Sequence, residues 1–244
     1  MRVVAIIEAR MTSSRLPGKV LLPVLGITML ERLITRLKSV SNINEIVVAT
    51  TINSQDDPIV ELCESLKTRT FRGSELNVFQ RVIGAAIFAE AEIIVEITGD
   101  CPLIDPNLIE HAVETFKFSE VDYLSNCEIQ TYPAGMEIQV VKLQALVRSY
   151  SMTTSLLDQE HVTLHIRKNP GLFKHMHLTA PLNLCAPKLS VTLDERADFE
   201  LITFVIEQLE PKNFYFGCDE IVNLLKSNEQ MATLNSGVRR KGDT

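Results

Sequence analysis

VVAIIEARMTSSRLPGKVLL, residues 3–22, sets the reading of the whole chain. Residues 3–7 form a continuous apolar run of strand length, the pattern of a strand buried on both faces. After it come Arg10, Arg15 and Lys19, with no Asp or Glu between Glu8 and Glu31. Thr12, Ser13, Ser14 and Gly18 lie among them, residue types suited to an exposed, hydrogen-bonding loop. Such a loop can hold a polyphosphate: backbone N–H groups cradle the oxygens, Arg forks onto them, and Lys adds a point charge. A solvated surface loop has the same composition. The loop is not a P-loop, because Ser13 stands where that motif needs Gly and Val20 where it needs Ser or Thr.

Outward from this stretch, apolar runs of strand length alternate with helical patterns. A helix follows Thr28, with Glu31 completing a capping box. Residues 46–50 are a second strand. Asp57 caps a helix with Pro58 at its first position. Residues 69–72 are a short strand ending at Gly73, and Ser74 starts the next helix. Residues 93–97 form a strand that runs into Thr98-Gly99-Asp100-Cys101-Pro102, and Asp105 before Pro106 caps a further helix. This alternation predicts an α/β fold with a mostly parallel sheet covered on both faces. Ligands of such sheets bind beyond the carboxyl ends of the strands, where the basic loop and Asp100 both fall.

The second half is less regular. Residues 123–125 and 137–141 read as strands, 143–150 and 160–169 as helices, 173–179 and 189–193 as strands, then 197–209 and 219–225 as helices. Residues 1–226 are expected to be one domain and residues 227–244 a polar, frayed tail. There is no internal repeat.

The chain has 244 residues, 45% of them hydrophobic, a net charge of −7 and a pI near 5.3. This balance argues against nucleic acid and for a small anionic substrate in a local basic pocket. Five scattered cysteines, without metal-ligand spacing, read as reduced thiols of a cytoplasmic protein. No secretory or membrane-spanning segment is recognisable, so no membrane partner is expected.

Two aspartates follow strands. For Asp100 the capping role is taken by Asp105, which points to Mg²⁺ coordination beside a phosphate. Asp194 reads either as a metal ligand or as the cap of the helix around Arg196. Glu160 and His161 read as a surface pair. His175 and His177 alternate on a strand, either facing solvent or binding a metal.

The run A-R-M-x-S-S-R-L-P-G-K after an N-terminal strand closely resembles the signature of cytidylyltransferases that make CMP-activated acidic sugars, in particular the branch of spore coat polysaccharide biosynthesis protein F and the acylneuraminate enzymes. The resemblance implies a Rossmann-like, three-layer α/β/α nucleotide-diphospho-sugar transferase fold. It implies an enzyme that transfers CMP from CTP to the anomeric hydroxyl of a sugar acid (sialic-, Kdo- or legionaminic-like), releasing pyrophosphate for surface glycans. It implies nucleotide contacts from Ala9, Arg10, Ser14, Arg15, Lys19, Gly73, Asn77 and Arg81, with Lys19 on the α-phosphate and Arg10 and Arg15 on the leaving pyrophosphate. It implies Mg²⁺ on Asp100 and Asp194, with Asp198 matching a further acid of that motif. Acceptor contacts fall on Tyr132, Glu137, Gln139, Glu160 and His161. Glu137 and Gln139 stand where the family has Asp and Glu, and Asn77 where Asp is usual. Family members are often dimers, so a homodimer is expected. The opposing reading is a catalytically drifted nucleotide- or sugar-binding module. A glycosyltransferase is a third, but the chain lacks the D-x-D pair that class uses for its metal.

Overall fold

A computed structural model describes residues 1–239. In chain order its elements are β1 (Val3–Glu8), β2 (Pro23–Val24), β3 (Ile27–Thr28), α1 (Met29–Lys38), β4 (Glu45–Thr51), α2 (Asp57–Ser65), β5 (Arg69–Gly73), α3 (Val78–Phe88), β6 (Ile93–Thr98) and α4 (Pro106–Lys117). They continue with β7 (Tyr123–Ser125), β8 (Gln139–Lys142), α5 (Leu143–Ser151), α6 (Leu156–Glu160), α7 (Leu164–Lys168), β9 (His175–His177), α8 (Arg196–Leu209), α9 (Cys218–Lys226) and α10 (Glu229–Ala232). Among the described residues, one seven-stranded sheet runs β5-β4-β1-β6-β8-β7-β9, and β2 and β3 form a small hairpin. β8 is antiparallel to both of its neighbours; the other pairings in the large sheet are parallel.

Alternation along the strands builds the layers. Val3, Ala5 and Ile7 face α1, α2 and α4 in one apolar cluster. Val4 and Ile6 face α3, α5 and α7 in another. That is the three-layer α/β/α arrangement with a mostly parallel sheet that the sequence predicts. A third cluster joins α8 and α9 to Met29 and Tyr132. It is linked to α1 by two fully buried cations. Arg32 grips Glu210 with Nε and Nη2 at 2.7 and 3.0 Å. Arg36 donates to the carbonyls of Ile104, Phe214 and Phe216. Burial lowers the Arg36 pKa to about 10, against the pull of Asp105 and Glu210. β1 lies between β4 and β6, so connections leave it in both directions, and its carboxyl end is the switch point of the sheet.

Several boundaries differ from the sequence expectation. The N-cap before α2 is Asp56, not Asp57. α3 starts at Val78, because Asn77 rather than Ser74 caps it, accepting from Gln80 N at 2.8 Å. Residues 160–169 are not one helix: α6 ends at Glu160 and α7 begins at Leu164, with His161 extended between them. Residues 189–193 form no strand beyond one bridge between Ser190 and Ala134. The expected frayed tail holds α10 and a buried Asn235. Asn235 donates to Ser190 O and to Asp198, while most other polar residues of the segment face water. Residues 240–244 of that expectation lie outside the described residues.

Candidate functional site

The loop after β1 is held by groups far away in sequence. Met11 N donates to Asp56 Oδ1 at 2.7 Å, while Asp56 Oδ2 takes the N–H and hydroxyl of Thr51 at the end of β4. Thr12 donates to Glu75, Asn53 Nδ2 donates to the other Glu75 oxygen at 2.6 Å, and Arg10 lies 3.6 Å from Glu75. The hydrogen bond from Thr12, ahead of a burial cost that opposes it, holds the Glu75 carboxyl below its usual range. The loop is therefore tied to β4 and to the β5–α3 turn before any ligand arrives.

Two acids converge on one ammonium. Lys19, 9% exposed, donates Nζ to Asp100 Oδ2 at 3.2 Å, to Asp194 Oδ1 at 3.0 Å and to the carbonyl of Leu193 at 2.6 Å. Burial alone would lower the Lys19 pKa, but the charges of Asp100 and Asp194 outweigh it and leave it above the ordinary lysine value. Arg15 adds Nη2 to the same Asp194 oxygen at 2.7 Å. The backbone makes the meeting possible. Leu193 N donates to Asp100 O at 2.8 Å. Gly99 passes so near Glu8 O that a Cβ there would lie 2.6 Å from it. Asp194 is not the cap of α8. Glu195 is, and Asp198 completes the box by accepting from the N–H groups of Asp194 and Glu195 at 2.9 and 2.8 Å. The other Asp198 oxygen takes Asn235 Nδ2 at 2.7 Å.

These groups line a cavity of about 810 Å³. Ala9, Arg10, Ser14, Arg15, Lys19, Asp100 and Asp194 are in its lining. Tyr132, Glu137, Gln139, Glu160 and His161 line it as well, with Arg81. Gly135, at φ 96°, lets the Tyr132–Glu137 turn pack on Val191, whose carbonyl carbon would lie 2.8 Å from a Cβ. Glu137 accepts from Gly135 N at 2.5 Å. Gly73 and Asn77 are not in the lining. Gly73 leaves room for Arg81, whose Cγ would lie 3.0 Å from a Cβ there. Arg81 binds the carbonyls of Ala49 and Ser74. Asn77 caps α3 and donates to the Tyr150 hydroxyl at 3.0 Å. His175 and His177 meet edge to face, with ring centroids 5.8 Å apart, away from this lining.

Sequence reading missed Asp56, Glu75, Asn235 and the pair Arg167 and Lys168, which line the cavity from α7. For Glu75, between Gly73 and Asn77, and Arg167, six residues after His161, closeness to those candidates was the only signal. Asp56 and Asn235 carried none, since the partners that tie them to the site, Met11 and Asp198, are remote. Asp100 and Asp194 offer hard oxygen donors to one point, and Mg²⁺ characteristically takes one or two carboxylates together with phosphate oxygens and water. The donor set fits that ion. Among the described residues no group of three or more His, Cys, Asp or Glu forms a metal cage, and no helix is long and apolar enough to cross a membrane.

The family model described as cytidylyltransferase matches residues 4–240. The chain is 31% identical over 238 residues to spore coat polysaccharide biosynthesis protein SpsF of Bacillus subtilis, covering 93% of this chain and 95% of that protein. It is 35% identical over 115 residues to 3-deoxy-manno-octulosonate cytidylyltransferase of Syntrophotalea carbinolica, covering 46% of this chain and 44% of that one. The solved structure of a cytidylyltransferase from Leptospira borgpetersenii superposes with a TM-score of 0.90 at 30% identity, covering 95% of this chain and 97% of that chain.

Proposed function

We propose that this chain, which belongs to the cytidylyltransferase family, transfers CMP from CTP to the anomeric hydroxyl of an acidic sugar in the synthesis of a surface polysaccharide. The observation that carries the reading is the convergence of Lys19, Arg15, Asp100 and Asp194 at the switch point of the sheet. The acceptor class is supported by the partial likeness to an octulosonate enzyme.

In this reading the hydroxyl oxygen of the sugar bonds to the α-phosphorus of CTP. The bond from that phosphorus to the bridging oxygen breaks, pyrophosphate leaves, and the hydroxyl proton passes to water. Lys19 exchanges its carboxylate partners for α-phosphate oxygens. Arg10 and Arg15 turn to the pyrophosphate and stabilise the charge that gathers there. Asp100 and Asp194 would hold Mg²⁺, which when bound neutralises phosphate charge. The braces through Asp56 and Glu75 hold the loop in place beforehand, so little ordering remains for the bound state. Tyr132, Glu137, Gln139, Glu160 and His161 form the acceptor end. The free thiols of the five cysteines fit a reducing cytoplasm.

The drifted-module reading drew on Asn77 and Gln139. Asn77 works as a helix cap outside the cavity lining, a role Asn fills as well as Asp. The decisive experiment is calorimetry with each of the four nucleoside triphosphates and Mg²⁺, alongside Asp100→Ala, followed by a screen of acidic sugars for pyrophosphate release. CTP binding that needs Mg²⁺ and is lost in the variant supports the proposal. Equal binding of all four nucleotides, or of none, returns the chain to the binding-module reading. Light scattering of the same sample tests the homodimer.

A further inference from the structure

Glu8 ends β1 and Glu96 sits on the neighbouring β6. Their register sets Glu96 beside Ile6 and Glu8 beside Thr98, so both side chains stand on the same face of the sheet, the one covered by α3. Glu96 is 4% exposed, and one Glu8 carboxyl oxygen is shut away from solvent without a hydrogen-bond partner. The two buried carboxyl groups thus face each other across neighbouring strands, and each acts on the ionisation of the other. Two carboxylates have no hydrogen to share, so a bond between them needs one proton. Burial first, and then the Glu96 charge, hold Glu8 well above the usual carboxyl range, with Arg81 opposing and Asp100 adding. Burial raises Glu96 too, opposed by Glu8 and by Arg167.

The chain of contacts continues to a third strand. Gln139 on β8 lies opposite Glu96 and donates its amide nitrogen to it. The Gln139 carbonyl is occupied by the hydroxyl of Tyr123 at 2.6 Å and by that of Thr163. Both ends of the amide are thereby assigned. The nitrogen carries two hydrogens and Glu96 takes one. Gln139 lines the cavity, as do Glu160, His161, Arg167 and Lys168. A Glu at this position, as in the resembling motif, would set a third carboxyl against Glu96. Gln139 removes that repulsion and keeps a donor.

We propose that Glu8, Glu96 and Gln139 form one hydrogen-bonded chain holding a single proton between the two acids, and that Gln139 turns its remaining N–H to the cavity as a donor to the carboxylate of the acceptor sugar. Glu96 is thus a positioning residue. The first half stands on the strands alone; the second rests on the proposed function.

Two measurements test the two halves. Infrared spectroscopy of the ligand-free protein at neutral pH reads the carbonyl stretch of a protonated carboxyl, which is present in the native protein and lost in both Glu8→Gln and Glu96→Gln. No such band, or one unchanged in both variants, overturns the shared proton. Gln139→Glu is then assayed with the acidic sugar that gives most pyrophosphate, and with that sugar reduced at its carboxylate. KM for the acid rises about ten- to a hundredfold, while KM for CTP stays put and the reduced sugar shows no such difference. The double variant Glu96→Gln with Gln139→Glu restores the donor–acceptor pairing, so it recovers thermal stability without recovering that KM. An unchanged acceptor KM in Gln139→Glu, or its recovery in the double variant, overturns the donor role. Turnover of no acidic sugar overturns the donor role together with the proposed function, and leaves the shared proton to the infrared result.

Discussion

Asn235 donates Nδ2 to Asp198 Oδ1 at 2.7 Å, and the other oxygen of that carboxylate holds the backbone N–H of Asp194 at 2.9 Å. A residue near the end of the described chain thereby sets the position of a candidate metal ligand. Asn235 is 5% exposed and also donates to Ser190 O at 3.0 Å. Asn235→Ala strips a partner from a buried carboxylate, a loss of about 1–3 kcal/mol. At roughly 2–4 °C per kcal/mol for a chain of this size, the melting temperature falls by several degrees. The Mg²⁺ concentration for half-maximal pyrophosphate release rises in the same variant, which thermal unfolding and a Mg²⁺ titration check together.

Lys19 pairs with both Asp100 and Asp194 before any ligand is bound, and Arg15 supplies the second positive charge. Lys19→Met leaves two acids facing each other and removes a cation from the site of charge development. Loss of one such stabilising group lowers kcat on the order of a hundred- to a thousandfold. Steady-state kinetics read this, and Lys19→Arg does not restore the rate, because the planar fork cannot reproduce three contacts made by a compact ammonium.

Glu8→Gln tests the buried acids through pH. The folded protein holds the Glu8 proton well above the range in which the unfolded chain releases it. The unfolded chain ionises first as pH rises, so native stability falls relative to the variant, at up to about 1.4 kcal/mol per pH unit. The amide of the variant donates as the protonated carboxyl does and does not titrate. Melting temperatures from about pH 5 to pH 8 should show Glu8→Gln gaining on the native protein as pH rises, with the gap closing toward the acid end.

Arg32 and Glu210 form a bidentate pair in the interior, with side chains 0% and 8% exposed. Arg32→Met alone leaves Glu210 unpaired and costs about 3–5 kcal/mol. Arg32→Met combined with Glu210→Leu recovers most of that loss. Chemical denaturation of the three proteins decides the point.

Glu75 joins Thr12, Asn53 and Arg10, of which Arg10 lines the cavity. Glu75→Ala frees the loop without touching the convergent acids. KM for the nucleotide rises about fivefold, the worth of roughly one hydrogen bond, while thermal stability barely moves. Kinetics and unfolding measured on one preparation separate these effects.

The strands and helices of the first half were legible because their signals are local. Apolar runs in residues 3–7 and 93–97, Thr28 before α1 and Asp105 before Pro106 each act within a few residues. Ser74 and residues 160–169 misled because neighbouring residues compete for the same cap or turn, and packing against α5 and the sheet chose Asn77 and split the helix. The basic loop and the aspartates were legible as motifs, but not as partners.

By itself the sequence determined the alternation of strand and helix, the three-layer fold, the family, and the polyphosphate-like loop. Each is written in residue types spaced by one or two turns or by one strand. The tertiary structure alone decided that Lys19 meets Asp194 across 175 positions, that Asp56 holds Met11, and that Arg32 and Arg36 are buried on α1. Strand order decides which distant groups meet. Desolvation then decides which of those meetings must be paired, and neither quantity is carried by any local stretch of the chain.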